Sequence, residues 1–171
     1  MNRRTILAAS LLVLAAPGAR AEGWSEYRSE DGRTRVRLPG MPAVRTEQIS
    51  IALGETAPMT EAVVKQGGTT YLVSHIAYPR RISQSASAEW MLDHFRNKMS
   101  AGHTLRAEKP LTAGRSQGRA FQVVEATGAV HAVRLYWVRG GLYQLVASGS
   151  AGIEAKPDTR TFLESFEIIP T

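Results

Sequence analysis

The chain contains no cysteine. Disulfides, thiolate metal sites and a lipid-modified cysteine anchor are therefore excluded. It has no long apolar run: the best candidate, Ile6 to Ala16, is 11 residues, against roughly 20 for a helix that crosses a bilayer. Histidines are few and scattered. His75, His94, His103 and His131 form no H-x-H, H-x-x-x-H or H-E-x-x-H, so no local spacing converges on a metal. There is no P-loop, no G-x-G-x-x-G between a strand and a helix, and no carboxylate pair that periodicity sets up for glycoside chemistry. No cofactor is expected. Repeats and low-complexity runs are also missing.

What is present begins with "MNRRTILAASLLVLAAPGARAEGW". Arg3 and Arg4 precede the apolar run, and Ala19-Arg20-Ala21 places small residues where a signal peptidase reads them, so cleavage is expected after Ala21. The segment Asn2 to Leu7 resembles a twin-arginine signal; a chance Arg-Arg in a general secretory signal is the alternative. Either implies a periplasmic, exported protein with no transmembrane segment after cleavage. The expected organisation is a signal peptide over 1–21 and one domain over 22–171. The formal charge of +6 then shrinks. Arg3, Arg4 and Arg20 leave with the signal, so 18 basic residues face 15 acidic ones, an excess of +3. That is too small to argue for nucleic acid.

Three turn signals organise the rest. Asp31-Gly32, Gly67-Gly68 and Gly140-Gly141 each separate stretches rich in Val, Tyr, Leu and Thr, and each pair tolerates positive φ at both central positions, as antiparallel hairpins require. At Gly140-Gly141 a two-residue loop sets Val138 against Tyr143 and Tyr136 against Leu145, with Trp137 and Leu135 on the other face. Both faces are apolar, so this hairpin is expected at the centre of the sheet, covered on both sides. "SASAEWMLDHFRNKMSAG" reads as a helix with Ser87 as N-cap, Met91, Leu92, Phe95 and Met99 as its stripe, and Gly102 at its end. "KPDTRTFLESFEII" reads as a helix opened by Pro157, with Phe162, Leu163 and Phe166 on its apolar face, followed by a short strand. Leu38–Pro42, Pro79–Ser87 and Ser148–Lys156 read as flexible pieces. The fold class is α+β: an antiparallel sheet built from hairpins with two helices packed on its faces.

One stretch spells an enzyme motif. Gly114-Arg115-Ser116-Gln117-Gly118 is a literal G-x-S-x-G. A nucleophile elbow needs a strand before the serine and a helix after it. Here "RAFQVVEAT" follows and "TLRAEKPLTA" precedes, both strand-like, so the motif is expected to be a hairpin turn and Ser116 not catalytic. Glu125 and His131 follow the serine, but His131 falls in the neighbouring strand. His75 reads as a hydrogen-bonded, half-buried strand residue and His94 as solvent-facing. Trp24, Trp90 and Trp137 read as packing residues. Tyr78-Pro79-Arg80-Arg81, between a strand and a helix, is the best candidate for an anion or partner contact, carried by Arg80 and Arg81; a solvated basic turn is the alternative.

Trp24 to Pro39 ("WSEYRSEDGRTRVRLP") opens with a strand pair ending in Leu-Pro, the chain closes with "FLESFEI" from Phe162 to Ile168, and "AEWMLDHFRNKM" lies between. This arrangement resembles the PsbP-like group, which includes extrinsic proteins of the photosynthetic oxygen-evolving complex and many exported bacterial proteins. The resemblance implies an α/β/α sandwich and an accessory or binding role, and it transfers no functional residue. The resulting expectation is a periplasmic accessory or binding protein without catalytic activity, partnered by a small molecule or an envelope protein. The alternative is a periplasmic hydrolase assembled from distant residues such as His75, Asp93, His94 and Ser116.

Overall fold

The structure is a computed structural model, and it describes residues 23–51 and 54–170. The expected signal peptide over 1–21, with the expected cleavage residues Ala19 and Ala21, lies outside the described residues. The chain forms β1 (Ser25–Arg28), β2 (Thr34–Leu38), β3 (Ala43–Ser50), β4 (Thr56–Gln66), β5 (Thr69–Ala77), α1 (Arg80–Ser85), α2 (Ala88–Ser100), β6 (Thr104–Ala113), β7 (Ser116–Val124), β8 (Val130–Val138), β9 (Gly141–Gly149), a 3-10 turn (Ile153–Ala155), α3 (Pro157–Glu164) and β10 (Glu167–Ile168). Strands β3 to β9 make a seven-stranded antiparallel sheet in the order β3-β4-β5-β9-β8-β7-β6. A smaller sheet, β1-β2-β10, covers one of its faces together with α3 and the 3-10 turn. Val36 and Leu38 of β2, Ile153, Phe162, Leu163 and Phe166 pack there against Tyr71, Tyr136, Tyr143 and Leu145. On the other face Met91, Leu92 and Phe95 of α2 pack against Phe121, Val133, Leu135 and Trp137. β9 is the middle strand and buries residues toward both faces, as its apolar pattern required.

The helix ends follow their sequence signals. The Ser87 hydroxyl accepts from the Trp90 amide at 3.1 Å, Gly102 follows the helix with a φ of +77°, and Pro157 opens α3.

Two of the three turns differ from expectation. Gly67 and Gly68 form the expected two-residue loop, both at positive φ. The β1–β2 loop is longer because side chains replace backbone partners. Ser29 Oγ donates to Asp31 Oδ1 at 2.6 Å and accepts from the Thr34 amide at 3.0 Å, while Asp31 Oδ1 accepts from the Arg33 amide at 3.1 Å. In the β8–β9 hairpin the loop is Arg139-Gly140, not Gly140-Gly141. Val138 pairs with Gly141 and Tyr136 with Tyr143, so the faces are as expected and the register is shifted. Arg139 takes φ +48° to allow it. The reason is steric: a Cβ on residue 141 would lie 2.7 Å from His75 Nε2, so this glycine lets two strands approach rather than turning the chain.

The pieces read as flexible include ordered elements. Pro79–Ser87 contains α1, whose polar sequence buries only Ile82, too weak a stripe to show periodicity. Ser148–Lys156 completes β9 and then forms the 3-10 turn, pinned by the fully buried Ile153.

The last sheet edge carries a bulge. Between Arg106 and Lys109 the β6–β7 register slips, with Ala107 at φ +51°. This aims Glu108 at α2. Its carboxylate accepts from Arg96 Nη1 at 2.9 Å and Arg119 Nη1 at 2.8 Å, and Asp93 pairs with both arginines. The closed ring ties α2 to β6 and β7. A double-mutant cycle of Glu108→Gln and Arg119→Met is expected to give a coupling of about 1 kcal/mol that shrinks in high salt; additivity would mean the ring contributes no cooperative stability.

Candidate functional site

One row of residues crosses the large sheet under the tip of the β1–β2 hairpin: Thr46, Thr60, His75, Tyr143, Tyr136, Gly118 and Leu111 sit opposite one another in successive strands. The hairpin tip clamps this row at two points. Thr60 Oγ1 donates to Glu30 Oε2 at 2.9 Å, and the buried Tyr143 hydroxyl donates to Asp31 Oδ2 at 2.6 Å. His75 stacks on Tyr143 with ring centroids 4.3 Å apart and planes 11° apart, and its Nε2 stands 3.8 Å from Asp31 Oδ2. That separation is too long for the hydrogen bond expected of His75.

The titrations of this cluster follow from its burial. Desolvation lowers the His75 pKa below its usual value, against the pull of the Asp31 charge, so the imidazole is neutral near pH 7. Burial raises the Asp31 carboxyl, but hydrogen bonds from Ser29, Tyr143 and the Arg33 amide outweigh it, and the group titrates below its usual range. The Tyr143 phenol is pushed up by burial and by the Asp31 carboxylate. A neutral histidine, a carboxylate and a tyrosine are the parts of an acid–base site, but here the carboxylate is saturated by internal donors and the imidazole is packed between Tyr143 and Gly141. The cluster fastens the hairpin.

A second constellation joins three residues that the sequence reading did not combine. His131 Nδ1 lies 2.8 Å from Ser148 Oγ, and its Nε2 lies 2.8 Å from Glu125 Oε1. The Glu125 carboxyl is lowered by His131 and Thr127. This Ser–His–Glu series could have been sought from the β8–β9 pairing, which sets His131 opposite Ser148. With the register slipped, Ser148 falls there. Ser148 sits within β9, flanked by Thr70 and His131 in the neighbouring strands, and Gly149 pairs with Val130. The backbone around the serine is thus engaged in sheet pairing and is not arranged as an oxyanion hole. The series works as a cross-strand pin.

The structure does not gather the residues of the hydrolase alternative. His75 faces the small sheet, whereas Asp93 and His94 ride on α2 across the large sheet. Ser116 opens β7 opposite Ala113, after a Gly114-Arg115 turn with Gly114 at φ +55°, as the strand-like flanks of the motif required. Arg80 and Arg81 are the first residues of the six-residue α1; both are exposed, and Arg81 pairs with the Glu55 carboxylate. Trp24 and Trp137 pack as expected, Trp24 with Arg37 over its ring at 5.5 Å. Trp90 does not. It is 54% exposed, stacks on His94, and borders a groove of about 210 Å³ lined by Ile49, Ile51, Tyr78, Met91 and Phe95, with Lys98 at its rim. Burial in this groove pushes the Tyr78 phenol up to about 12. Among the described residues no group of three or more His, Asp or Glu side chains is placed to hold a metal ion, and no helix is long and apolar enough to cross a membrane.

No family model matches the chain, and no curated protein matches it. Solved structures do. The cyanobacterial PsbP protein (CyanoP) of Synechocystis sp. PCC 6803 superposes with a TM-score of 0.54 at 9% identity, over 91% of this chain and 99% of that one. A Pseudomonas aeruginosa protein, PA94, superposes with a TM-score of 0.43 at 9% identity, over 86% of this chain and 99% of that one. The α+β fold of this chain, an antiparallel sheet with helices on its faces, is PsbP-like.

Proposed function

We propose that this chain is an exported, periplasmic accessory protein that acts by binding and has no catalytic activity of its own. The observation that carries this reading is that the candidate acid–base groups of the described residues hold the fold together. Asp31 and His75 fasten the hairpin, Glu125, His131 and Ser148 pin two strands, and Asp93 ties α2 to the sheet. The likeness to CyanoP supports the fold on which an accessory role rests. Arg80 and Arg81 are the proposed contact for an anionic ligand or partner.

The test is native mass spectrometry of protein purified from its own envelope, beside a panel of ester and phosphoester substrates. Bound mass that leaves on denaturation and is reduced by Arg80→Ala with Arg81→Ala is expected. Turnover that survives full purification would overturn the non-catalytic reading. Ser116→Ala is expected to leave any residual hydrolysis unchanged and to shift stability by less than about 0.5 kcal/mol.

A further inference from the structure

The two edges of the large sheet are built differently. At β6 the edge is broken by the bulge at Ala107, carries Pro110 inside the strand, and is flanked by Lys109, all devices that discourage another strand from pairing. At β3 neither a bulge nor an internal proline is present; Pro42 stands just before the strand, and the strand's charges, Arg45 and Glu47, are of opposite sign. Its pairing with β4 is unbroken from Ala43 opposite Val63 to Ser50 opposite Thr56, and it contains no proline. The outer backbone groups of an edge strand are a template for strand addition. Among the described residues, the large apolar side chains left most exposed flank this edge at its two ends: Met41 at 85% and Val44 at 54% at one, and Trp90 at 54%, across the groove that Ile49 and Ile51 border, at the other. Exposed apolar groups along an open edge mark an interaction surface.

Charge selects the occupant. Two copies of one strand that pair antiparallel about a two-fold axis must centre on a residue if each residue is to face one of the same backbone orientation. Centring on Arg45 would set Arg45 against itself, and centring on Glu47 would set Glu47 against itself. Centring on Thr46 sets Arg45 opposite Glu47 of the second copy, twice, with Ala43 opposite Ile49 and Val44 opposite Gln48. Arg45 is then bracketed by Glu47 of the second copy on its outer side and by its own Glu61 on the inner side, where the contact is 2.7 Å. Met41 comes alongside Ile51 of the second copy, at the mouth of the apolar groove.

We propose that the β3 edge is a self-complementary interface through which two copies of this chain pair antiparallel about Thr46, joining their seven-stranded sheets into one. The inference is independent of what the protein binds and of whether it is an enzyme. The interface is small, so dissociation is expected in roughly the micromolar to millimolar range.

The test uses the exposed positions of β3 in the mature chain. Sedimentation across that concentration range is expected to show reversible dimers. Glu47→Arg, which sets Arg45 against a second arginine, is expected to weaken them at least tenfold, and mixing it with Arg45→Glu is expected to restore association as heterodimers. Because the chain has no cysteine of its own, Thr46→Cys gives a readout that does not depend on the charge variants folding. The two thiols meet at the axis and should cross-link on mild oxidation at least tenfold faster than Val44→Cys or Gln48→Cys, whose partners lie several residues away. A chain that stays monomeric throughout, or that cross-links faster at Val44 or Gln48 than at Thr46, overturns the proposal.

Discussion

Gly118→Ala is expected to lower stability by about 3 kcal/mol, or roughly 6–12 °C in melting temperature for a chain of this size. A Cβ at this position would lie 2.6 Å from Tyr136 Cδ1 and 2.7 Å from the Leu135 carbonyl oxygen. The ring could swing away only by disturbing its stack on Phe166, at 4.2 Å, and the carbonyl belongs to the neighbouring strand and cannot move alone. Gly114, the other glycine of G-R-S-Q-G, is the control. It has open space around a Cβ and only a positive φ to satisfy, so Gly114→Ala should cost about 1 kcal/mol. Urea unfolding of the two variants checks the difference. Equal costs would mean that the close approach of Tyr136 to Gly118 is unimportant. The motif that spells an esterase is thus two glycines with separate structural duties and a serine between them.

Asp31→Ala is expected to cost a similar amount, about 3 kcal/mol, because the buried Tyr143 hydroxyl, Ser29 and the Arg33 amide lose a charged acceptor together. Its pH dependence has a defined sign. A carboxyl lowered below its ordinary value of 3.8 contributes stability that is present above that value and is lost as pH falls through the folded-state pKa. His75, lowered below 6.5, takes its proton more readily in the unfolded chain, so stability also declines as pH falls below 6.5 and the decline levels off at the lower folded-state value. Acid unfolding of the native chain should therefore show one loss of stability beginning near pH 6.5 and a further one below pH 3.8. His75→Phe should flatten the first and Asp31→Ala the second. An unchanged low-pH arm in Asp31→Ala would remove this carboxylate as a source of acid sensitivity.

Local signals made most of the architecture readable. Helix α2 was visible in its cap, its stripe and its closing glycine, and the central place of the β8–β9 hairpin followed from apolar residues on both faces. The shifted turn was hidden because nothing near Gly141 in sequence reveals that His75 crowds it. The hairpin lock was hidden for the same reason. Asp31 reads as a turn residue until Tyr143, 112 positions away, is brought to it. Trp90 looked like a packing residue because helical periodicity marks the Met91-Leu92-Phe95 stripe without saying how far the covering layer extends beyond it. Long-range contacts decide each of these, and candidate sites are made of such contacts.

The strand order also governs how the molecule is assembled in time. β3-β4-β5 and β6-β7-β8-β9 are two runs in which every strand pairs with its sequence neighbour, and they meet only where β5 lies against β9, some seventy residues on, as with Thr70 opposite Ser148. Each run can close quickly through short loops, whereas joining them demands a large loop closure before any contact rewards it. The encounter of β5 with β9 is therefore expected to be the slow step of folding, and the His75–Tyr143 stack, which bridges that seam, should report when it is complete.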